Sequence, residues 1–234
     1  MSTERLALSI GDVVLARATA SAVSADEGWL SPGEAEVQAR LRVSKRAADW
    51  RLGRWVAKEA VLGALGKAGQ EGGSPALARA AVEVLAGPGG CPRVRILSPG
   101  TWPPVSASIS HAADTGFAAA AAEAVRLGCD VEEIALRSEE FVSDYFTAEE
   151  AAWIRVGGKE RHVRANLVWS AKESALKALG EGLRKDTRSV AVEVGEIERP
   201  AGDAWRPLKI ASVGGDTFAG RWRVADGFVW TVVG

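Results

Sequence analysis

The sequence of 234 residues contains few of the side chains that support disulfide, redox and soft-metal chemistry, with two cysteines, two histidines and one methionine. Cys91 and Cys129 lie far apart and match no metal-binding or redox spacing, so we expect reduced thiols in a cytoplasmic protein. The N-terminal segment has no long apolar run, because Glu4, Arg5 and Asp12 interrupt its hydrophobic residues. We therefore expect neither a signal peptide nor a membrane span there.

The chain also lacks an excess of either charge. Its 29 lysines and arginines and 30 aspartates and glutamates give a formal net charge of −1. Such a chain offers no broad cationic face for the phosphates of a nucleic acid, so any bound anion should meet a local cluster of cations. With 47% hydrophobic and 25% charged residues, the composition is that of a globular protein with a core. We expect no nucleic-acid or membrane partner.

An internal repeat is the main organising feature of the sequence. Trp55–Gly66, WVAKEAVLGALG, and Trp169–Gly180, WSAKESALKALG, agree at eight of twelve positions. Upstream of each copy, at Ser31 and at Thr147, a hydroxyl residue is followed three positions later by glutamate. This pattern predicts a capping box at the start of a helix in each half.

Short alternating or apolar runs follow each repeated helix, separated by glycine, proline and aspartate, and they predict four strands in each half. The predicted strands begin at Ala81, Arg93, Ser106 and Gly116 in the first half and at Val190, Leu208, Phe218 and Phe228 in the second. The glycine-rich stretch from Gly66 predicts a surface loop. We therefore predict an α+β monomer of two similar halves, residues 1–124 and 125–234, that pack as a pseudo-dimer with a ligand cleft between them.

Positions at which the two halves differ point to function, because one half has polar groups that the other lacks. Lys177 aligns with Gly63, and Glu132 aligns with Val14. Asp130 and Glu132 are two residues apart in a predicted strand, so their carboxylates project from the same face. Adjacent carboxylates repel each other unless a cation lies between them. The pattern favours a hard divalent cation such as Mg²⁺, although an exposed acidic strand edge has the same sequence.

The second copy of the helix, WSAKESALK, carries charges among small and apolar residues. Glu173 and Lys177 share one flank of it and form either an i,i+4 ion pair on a solvated face or part of a site. Lys172 falls within the apolar arc, where its stem can pack while the ammonium reaches water. If Glu173 joins the two strand carboxylates, three acids lie beside Lys177, which is the composition of a site for a metal-held diphosphate.

A basic stretch, SKRAADWRLGR, leads into the first copy of the helix. Arg46 and Arg54 are about two turns apart on nearly the same helix face. They form either a solvated basic face or a fork for a terminal phosphate, to which the planar guanidinium is suited. A predicted strand, SASISHA, ends near Ser110 and His111, and a lone histidine at that place is often only a surface residue.

Taken in order, the segments KRAADWRLGR, SISHA, GCDVE, FTAEE and WSAKESALKALGEGL resemble the Sfp-type 4′-phosphopantetheinyl transferases, over about Leu30 to Leu183. The resemblance implies a Mg²⁺-dependent cytoplasmic enzyme with coenzyme A as co-substrate. Such an enzyme transfers the 4′-phosphopantetheine arm to a serine of an acyl or peptidyl carrier protein and releases 3′,5′-ADP. These carriers serve fatty acid, polyketide or nonribosomal peptide synthesis.

The resemblance also implies roles for residues of the C-terminal half. Asp130, Glu132 and Glu173 would hold the metal against the diphosphate of coenzyme A. Lys172 and Lys177 would contact that diphosphate. Glu173 and Lys177 would act in the transfer itself, with either Glu173 or a metal-bound water accepting the proton of the serine.

The N-terminal half would bind the 3′-phosphate of coenzyme A. The positions at which the family binds that phosphate correspond to Arg46, Arg54 and His111, with Ser110 nearby. Many relatives have a basic residue before proline where this chain has Cys91, so the contacts to adenine are left unassigned. Two alternatives remain open, a coenzyme A-binding protein that no longer turns over and an interaction module whose charges are solvated.

Overall fold

The computed structural model describes residues 1–71, 77–196 and 203–234, and the chain divides into two units. Unit 1 is Met1–Leu127 and unit 2 is Gly128–Gly234. Both units contain antiparallel strands and helices, which confirms the predicted α+β class. Within the described ranges, no helix has the length and apolar content needed to cross a bilayer.

Unit 1 contains a four-stranded antiparallel sheet and a separate two-stranded sheet. Its strands are β1 (Ser2–Leu8), β2 (Gly11–Thr19), β3 (Val82–Ala86), β4 (Pro92–Ile96), β5 (Ser106–Ala112) and β6 (Thr115–Ala121), and its helices are α1 (Pro32–Ala39) and α2 (Ser44–Glu71). The larger sheet has the order β1-β2-β6-β5, and β3 pairs with β4. Helix α2 packs on the larger sheet, where Val56 and Ala60 join a core with Ala118 and Ala120 of β6. The alanines of β6 let the helix approach the sheet closely.

Unit 2 contains one five-stranded antiparallel sheet in the order β7-β11-β10-β9-β8. Its strands are β7 (Gly128–Glu133), β8 (Val190–Val192), β9 (Arg206–Ser212), β10 (Thr217–Ala225) and β11 (Phe228–Val233), and its helices are α3 (Glu139–Tyr145), α4 (Ala148–Arg155) and α5 (Arg161–Ala178). Helix α5 packs on β7 and β11, and Val168, Ala171 and Ala175 form a core with Trp222 and Val229. Strand β7 lies at one edge of the sheet, beneath α5.

The eight strands predicted to follow the repeated helices are all present, whereas two features of unit 1 differ from the sequence prediction. Strand β1 was not predicted, because it is an edge strand whose polar residues are mostly exposed and give no apolar signal. Helix α2 passes the predicted loop start at Gly66 and continues to Glu71, since one glycine costs a helix only about 1 kcal/mol. The predicted loop continues over residues 72–76, which lie outside the described residues.

Both predicted capping boxes are confirmed. At the start of α1, the hydroxyl of Ser31 accepts from the backbone N–H of Glu34 at 3.2 Å, and the Ser31 N–H donates to the Glu34 carboxylate at 2.9 Å. At the start of α4, Thr147 and Glu150 make the same two bonds at 3.3 and 2.8 Å. In each case the glutamate satisfies an N-terminal backbone donor that the helix itself leaves unpaired.

The capping glutamate of unit 2 also lies in a fully buried ion pair. Glu150 Oε2 is 2.9 Å from Lys172 Nζ, and neither side chain is exposed. The other oxygen of Glu150 accepts from the N–H of Val192 at 2.7 Å. Lys172 donates to the carbonyl oxygens of Thr187 at 3.0 Å and Val190 at 2.5 Å. The network therefore ties the start of α4 to α5 and β8.

Unit 1 repeats this network with its own residues. Glu34 Oε2 is 2.5 Å from Lys58 Nζ, and both side chains are fully buried. The other oxygen of Glu34 accepts from the N–H of Val84 at 2.9 Å, and Lys58 donates to the carbonyl oxygens of Trp29 and Arg79. Burial lowers the pKa of Lys58, although Glu34 opposes this effect. A charge is tolerated in such a buried site only when each of its hydrogen-bonding positions has a partner.

Replacing Lys172 with methionine should destabilise the protein by about 3–5 kcal/mol, because it leaves Glu150 buried without its cation. Urea unfolding at neutral pH measures the change. Lys45→Met is the control, since it removes an exposed pair with Asp49 at 2.7 Å and should cost at most about 1 kcal/mol. A Lys172→Met protein as stable as the wild type would contradict the structural role of Lys172.

Candidate active site

Three acidic side chains meet where α5 crosses the edge strand β7. Asp130 and Glu132 project from β7 toward the helix, and Glu173 projects from the helix toward the strand. One carboxylate oxygen from each of the three lies within 4.8 Å of the others. Asp130 is buried, whereas Glu132 and Glu173 are partly accessible to solvent. The structure thus brings together the three carboxylates that the sequence analysis predicts as metal ligands.

Lys177 lies beside these acids, one helical turn beyond Glu173. Its ammonium donates to Asp130 Oδ1 at 2.7 Å and to the carbonyl oxygen of Cys129 at 3.1 Å. It is 3.7 Å from the carboxylate of Glu173. The side chain is 25% exposed, so the ammonium can contact a molecule that approaches from solvent.

A close approach of α5 to β7 and β11 makes this arrangement possible. A Cβ atom at Gly128 would lie 1.8 Å from the carbonyl oxygen of Ser174, so only glycine fits at this position of β7. The hydroxyl of Thr231 on β11 is 2.9 Å from the Ser170 hydroxyl and 2.7 Å from the Ser174 hydroxyl. These buried contacts hold the helix at the distance at which Glu173 meets Asp130.

Burial and repulsion from Asp130 raise the pKa values of Glu132 and Glu173. Burial raises the pKa of Glu173 to about 7, and the carboxylate of Asp130 adds to this effect while Lys177 opposes it. Burial also raises the pKa of Glu132, again with a contribution from Asp130. Burial alone would lower the pKa of Lys177, but the carboxylates of Asp130 and Glu173 outweigh it and the pKa is raised. Burial and the neighbouring carboxylates therefore disfavour the ionised forms of Glu132 and Glu173.

The donor set fits a hard divalent cation. Three carboxylates supply oxygen ligands only, and their oxygens lie close enough to share one ion. The carboxylate of Asp130 contributes to the raised pKa of Glu132 and of Glu173, and a cation between the acids would relieve this repulsion. Asp130, Glu132 and Glu173 are the residues that would hold Mg²⁺.

Two side chains that the sequence analysis does not assign to the site contact Glu132. The indole N–H of Trp169 donates to Glu132 Oε1 at 3.0 Å, and Arg137 donates to Glu132 Oε2 at 2.7 Å. Trp169 belongs to the repeated motif. Because Trp55 occupies the aligned position in unit 1, the sequence indicates a core residue at both positions. Arg137 lies in the irregular segment after β7, where no sequence pattern marks it.

Lys172 lies in the interior of unit 2. Its ammonium is fully buried, and its three donors are taken by Glu150 and by the carbonyl oxygens of Thr187 and Val190. An ammonium has no fourth proton to donate. These contacts give Lys172 a structural role, and its contact with coenzyme A stays a prediction.

The predicted arginines of unit 1 lie along α2. Arg46 is exposed in the first turns of the helix. Arg54 is partly buried, its guanidinium lies 5.2 Å from the ring centroid of Trp50, and its Nε is buried without a hydrogen-bond partner. Burial lowers the pKa of Arg54. A buried donor without an acceptor is costly, and an anionic ligand would remove that cost.

Ser110 and His111 lie next to each other on β5 but on opposite faces of the sheet. A Cβ atom at Gly53 of α2 would lie 3.3 Å from Ile109, so Ile109 faces the helix. Alternation along the strand places His111 on the same face as Ile109 and Ser110 on the other. His111 is exposed and Ser110 is buried. His111 therefore lies on the sheet face that α2 covers, and Ser110 does not.

Part of the chain is similar to a known protein family. Residues 126–233 match the family model described as the 4′-phosphopantetheinyl transferase superfamily, ACPS. The matched stretch contains Asp130, Glu132, Glu173 and Lys177. The match covers unit 2 and less than half of the chain.

Two solved structures are similar to part of the chain. The acyl carrier protein synthase of Mycobacterium tuberculosis is 24% identical over 46% of this chain and 92% of its own, with a TM-score of 0.35. The holo-ACP synthase from Plasmodium yoelii is 15% identical over 51% of this chain and 95% of its own, with a TM-score of 0.36. At these TM-scores the likeness supports no functional conclusion. No curated protein sequence matches the chain.

Replacing Glu173 with glutamine should stabilise the metal-free protein at alkaline pH. Because the pKa of Glu173 rises from 4.5 to about 7 on folding, the native state loses stability as the pH increases through that window. Glutamine mimics the protonated acid, so the variant should be more stable than the wild type by up to about 3 kcal/mol at about pH 8. At about pH 4.5 this gain should be absent.

Urea unfolding of both proteins in a chelator, at the two pH values, measures this difference. Equal stability of wild type and Glu173→Gln at the alkaline pH would contradict the raised pKa. Excess Mg²⁺ should then stabilise the wild type more than the variant, because the variant lacks one carboxylate ligand.

Proposed function

We propose that the protein transfers the 4′-phosphopantetheine arm of coenzyme A to a serine of an acyl or peptidyl carrier protein and releases 3′,5′-ADP. The observation that carries the proposal is the meeting of Asp130, Glu132 and Glu173 within 4.8 Å, beside Lys177, in the part of the chain that matches the superfamily. We also propose a cytoplasmic monomer, in keeping with the two isolated cysteines.

The reaction exchanges one phosphate ester bond for another. The serine oxygen of the carrier bonds to the phosphorus that bears the pantetheine arm, the bond from that phosphorus to the bridging oxygen breaks, and the serine proton leaves. Mg²⁺ held by the three carboxylates would neutralise negative charge on the diphosphate oxygens. The site residues have two further tasks, which are to stabilise the leaving phosphate and to accept the proton.

Lys177 is suited to the leaving phosphate. Its ammonium is held by Asp130 at 2.7 Å yet remains partly exposed, so it can donate to an oxygen of the departing 3′,5′-ADP. The pair with Asp130 also keeps the lysine protonated, because it raises the pKa of Lys177.

Glu173 is suited to accept the proton of the serine, directly or through water. Its pKa of about 7 lies near the pH of the cytoplasm, where a general base is most effective. A metal ligand cannot always act as a base at the same time, so water remains the second route. Both routes of proton transfer use the carboxylate of Glu173.

Unit 1 would bind the 3′-phosphate of coenzyme A. Arg54 has a buried donor in need of an acceptor, Arg46 is exposed on the same helix, and His111 lies on the sheet face that this helix covers. Guanidinium groups bind phosphate through two parallel hydrogen bonds. Ser110 faces the other way, so only its backbone remains as a contact to this group.

The deciding experiment incubates the protein with coenzyme A, Mg²⁺ and purified acyl or peptidyl carrier proteins. Mass spectrometry should show a carrier heavier by one phosphopantetheine arm, and a chelator should abolish the change. Calorimetry with coenzyme A separates the alternatives, because a degenerate relative binds coenzyme A without transfer and an interaction module shows neither. Either result would overturn the proposal.

Replacing Lys177 with alanine should lower transfer at least about tenfold, a loss of about 1.4 kcal/mol of transition-state stabilisation, and leave the protein folded. The initial rate of carrier modification measures this effect. Lys159→Ala removes an exposed lysine of the same unit and should react like the wild type. Near-normal transfer by Lys177→Ala would refute the role of Lys177.

Replacing Arg46 with alanine should raise KM for coenzyme A about tenfold, because a charge-assisted hydrogen bond to the 3′-phosphate is lost. The same variant should show an unchanged KM for 3′-dephospho-coenzyme A, which lacks that phosphate. Arg40→Ala is the control, since Arg40 makes only an exposed pair with Glu36. An equal increase of KM for both substrates would exclude the 3′-phosphate as the partner of Arg46.

A further inference from the structure

Arg137 lies in the segment between β7 and α3 and connects the acidic site to the interior of unit 2. Its Nη2 donates to Glu132 Oε2 at 2.7 Å, and its Nε donates to Asn166 Oδ1 at 2.9 Å. Its guanidinium also lies 4.8 Å from the ring centroid of Phe141. The planar group therefore bridges a proposed metal ligand and a residue of α5, and a ring covers one of its faces.

The residues that hold Arg137 are themselves fixed. Asn166 is fully buried, and its amide donates to the carbonyl oxygens of Ala135 at 2.7 Å and His162 at 2.8 Å. These two bonds direct Oδ1 toward Arg137. Arg161 donates to the carbonyl oxygen of Arg137 at 3.0 Å, so the backbone of the segment is anchored as well.

Trp169 completes the support of Glu132 from the helix side. Its N–H donates to the carboxylate oxygen that Arg137 leaves, at 3.0 Å, and its ring packs against Phe141 and Tyr145. Each carboxylate oxygen of Glu132 thus has one fixed donor. Since a carboxylate oxygen accepts two bonds, each oxygen keeps a position for a metal ion.

We propose that Arg137 is a positioning residue for the metal site, which holds the carboxylate of Glu132 in its ligand orientation by bridging it to Asn166. The inference rests on the proposed function, because it takes Glu132 as a metal ligand. Replacing a residue that hydrogen-bonds to a metal ligand typically weakens metal affinity by about 10- to 100-fold.

A purely electrostatic role for Arg137 makes the opposite prediction. A cation that acted only through its charge would repel the metal, and its removal would tighten binding. The contacts favour positioning, because one N–H of Arg137 is committed to Asn166 and the second oxygen of Glu132 is held by an uncharged indole. The two roles therefore differ in the sign of the effect on metal affinity.

The test measures Mn²⁺ binding to the full chain by calorimetry, without coenzyme A or carrier. Arg137→Met should weaken Mn²⁺ binding at least about tenfold. Arg137→Lys keeps the charge but cannot make both bonds in the same plane, so it should stay several-fold weaker than the wild type. Arg155→Met is the control, because Arg155 pairs with the exposed Glu139, and it should bind Mn²⁺ like the wild type.

Three outcomes overturn the inference, namely tighter or unchanged binding by Arg137→Met and full recovery by Arg137→Lys. Thermal unfolding of each variant shows whether it is folded, and a loss of stability alone does not change the Mn²⁺ affinity of the folded protein. If Arg137→Met does not fold, Trp169→Phe tests the same support, since it keeps the ring and removes the N–H donor. That variant should also bind Mn²⁺ several-fold more weakly, and unchanged binding would contradict the support of Glu132.

The wild type distinguishes this inference from the proposed function. Mn²⁺ binding that Glu132→Gln weakens establishes the metal site, whatever the Arg137 variants do. No Mn²⁺ binding by the wild type would overturn the metal site, and the role of Arg137 with it.

Discussion

The structure of each unit depends on a buried ion pair between a capping glutamate and a helical lysine. In unit 2 the pair is Glu150 and Lys172, and in unit 1 it is Glu34 and Lys58. Every proton of each ammonium has an acceptor, and both oxygens of each carboxylate accept from backbone or lysine donors. A buried pair with complete partners stabilises one arrangement of the helix and excludes others, because any shift would leave a charge unpaired in the interior.

This constraint explains how α5 can carry a site that is unfavourable by itself. Three carboxylates within one small volume repel one another, and burial together with the carboxylate of Asp130 raises the pKa of Glu173. The pair with Glu150 holds the helix from one side, and the contact of Gly128 with Ser174 holds it from another. The acids can therefore face one another without pushing the helix from the sheet. Stability and chemistry are supplied by different residues of the same helix.

The sequence predicts local features of the fold well, and it predicts the site in part. Alternation in β7 places Asp130 and Glu132 on one face, but their meeting with Glu173 depends on packing that only the family motif indicates. The repeat itself holds the signal for Lys172, since Lys58 occupies the same place in the half without the acids. Arg137 has no such signal, because its contact with Asn166 depends on an irregular segment and on a residue far along the chain.

The two copies of the helix-on-strand arrangement have diverged in the space between helix and strand. In unit 1 a Cβ atom at Gly63 would lie 2.8 Å from Val14, at the positions that align with Lys177 and Glu132. The backbone of α2 therefore lies against the Val14 side chain, and a side chain at position 63 has no room beside it. A second ion-binding centre engineered into this chain would first need a smaller side chain at position 14, because Val14 occupies the space that a lysine at position 63 would enter.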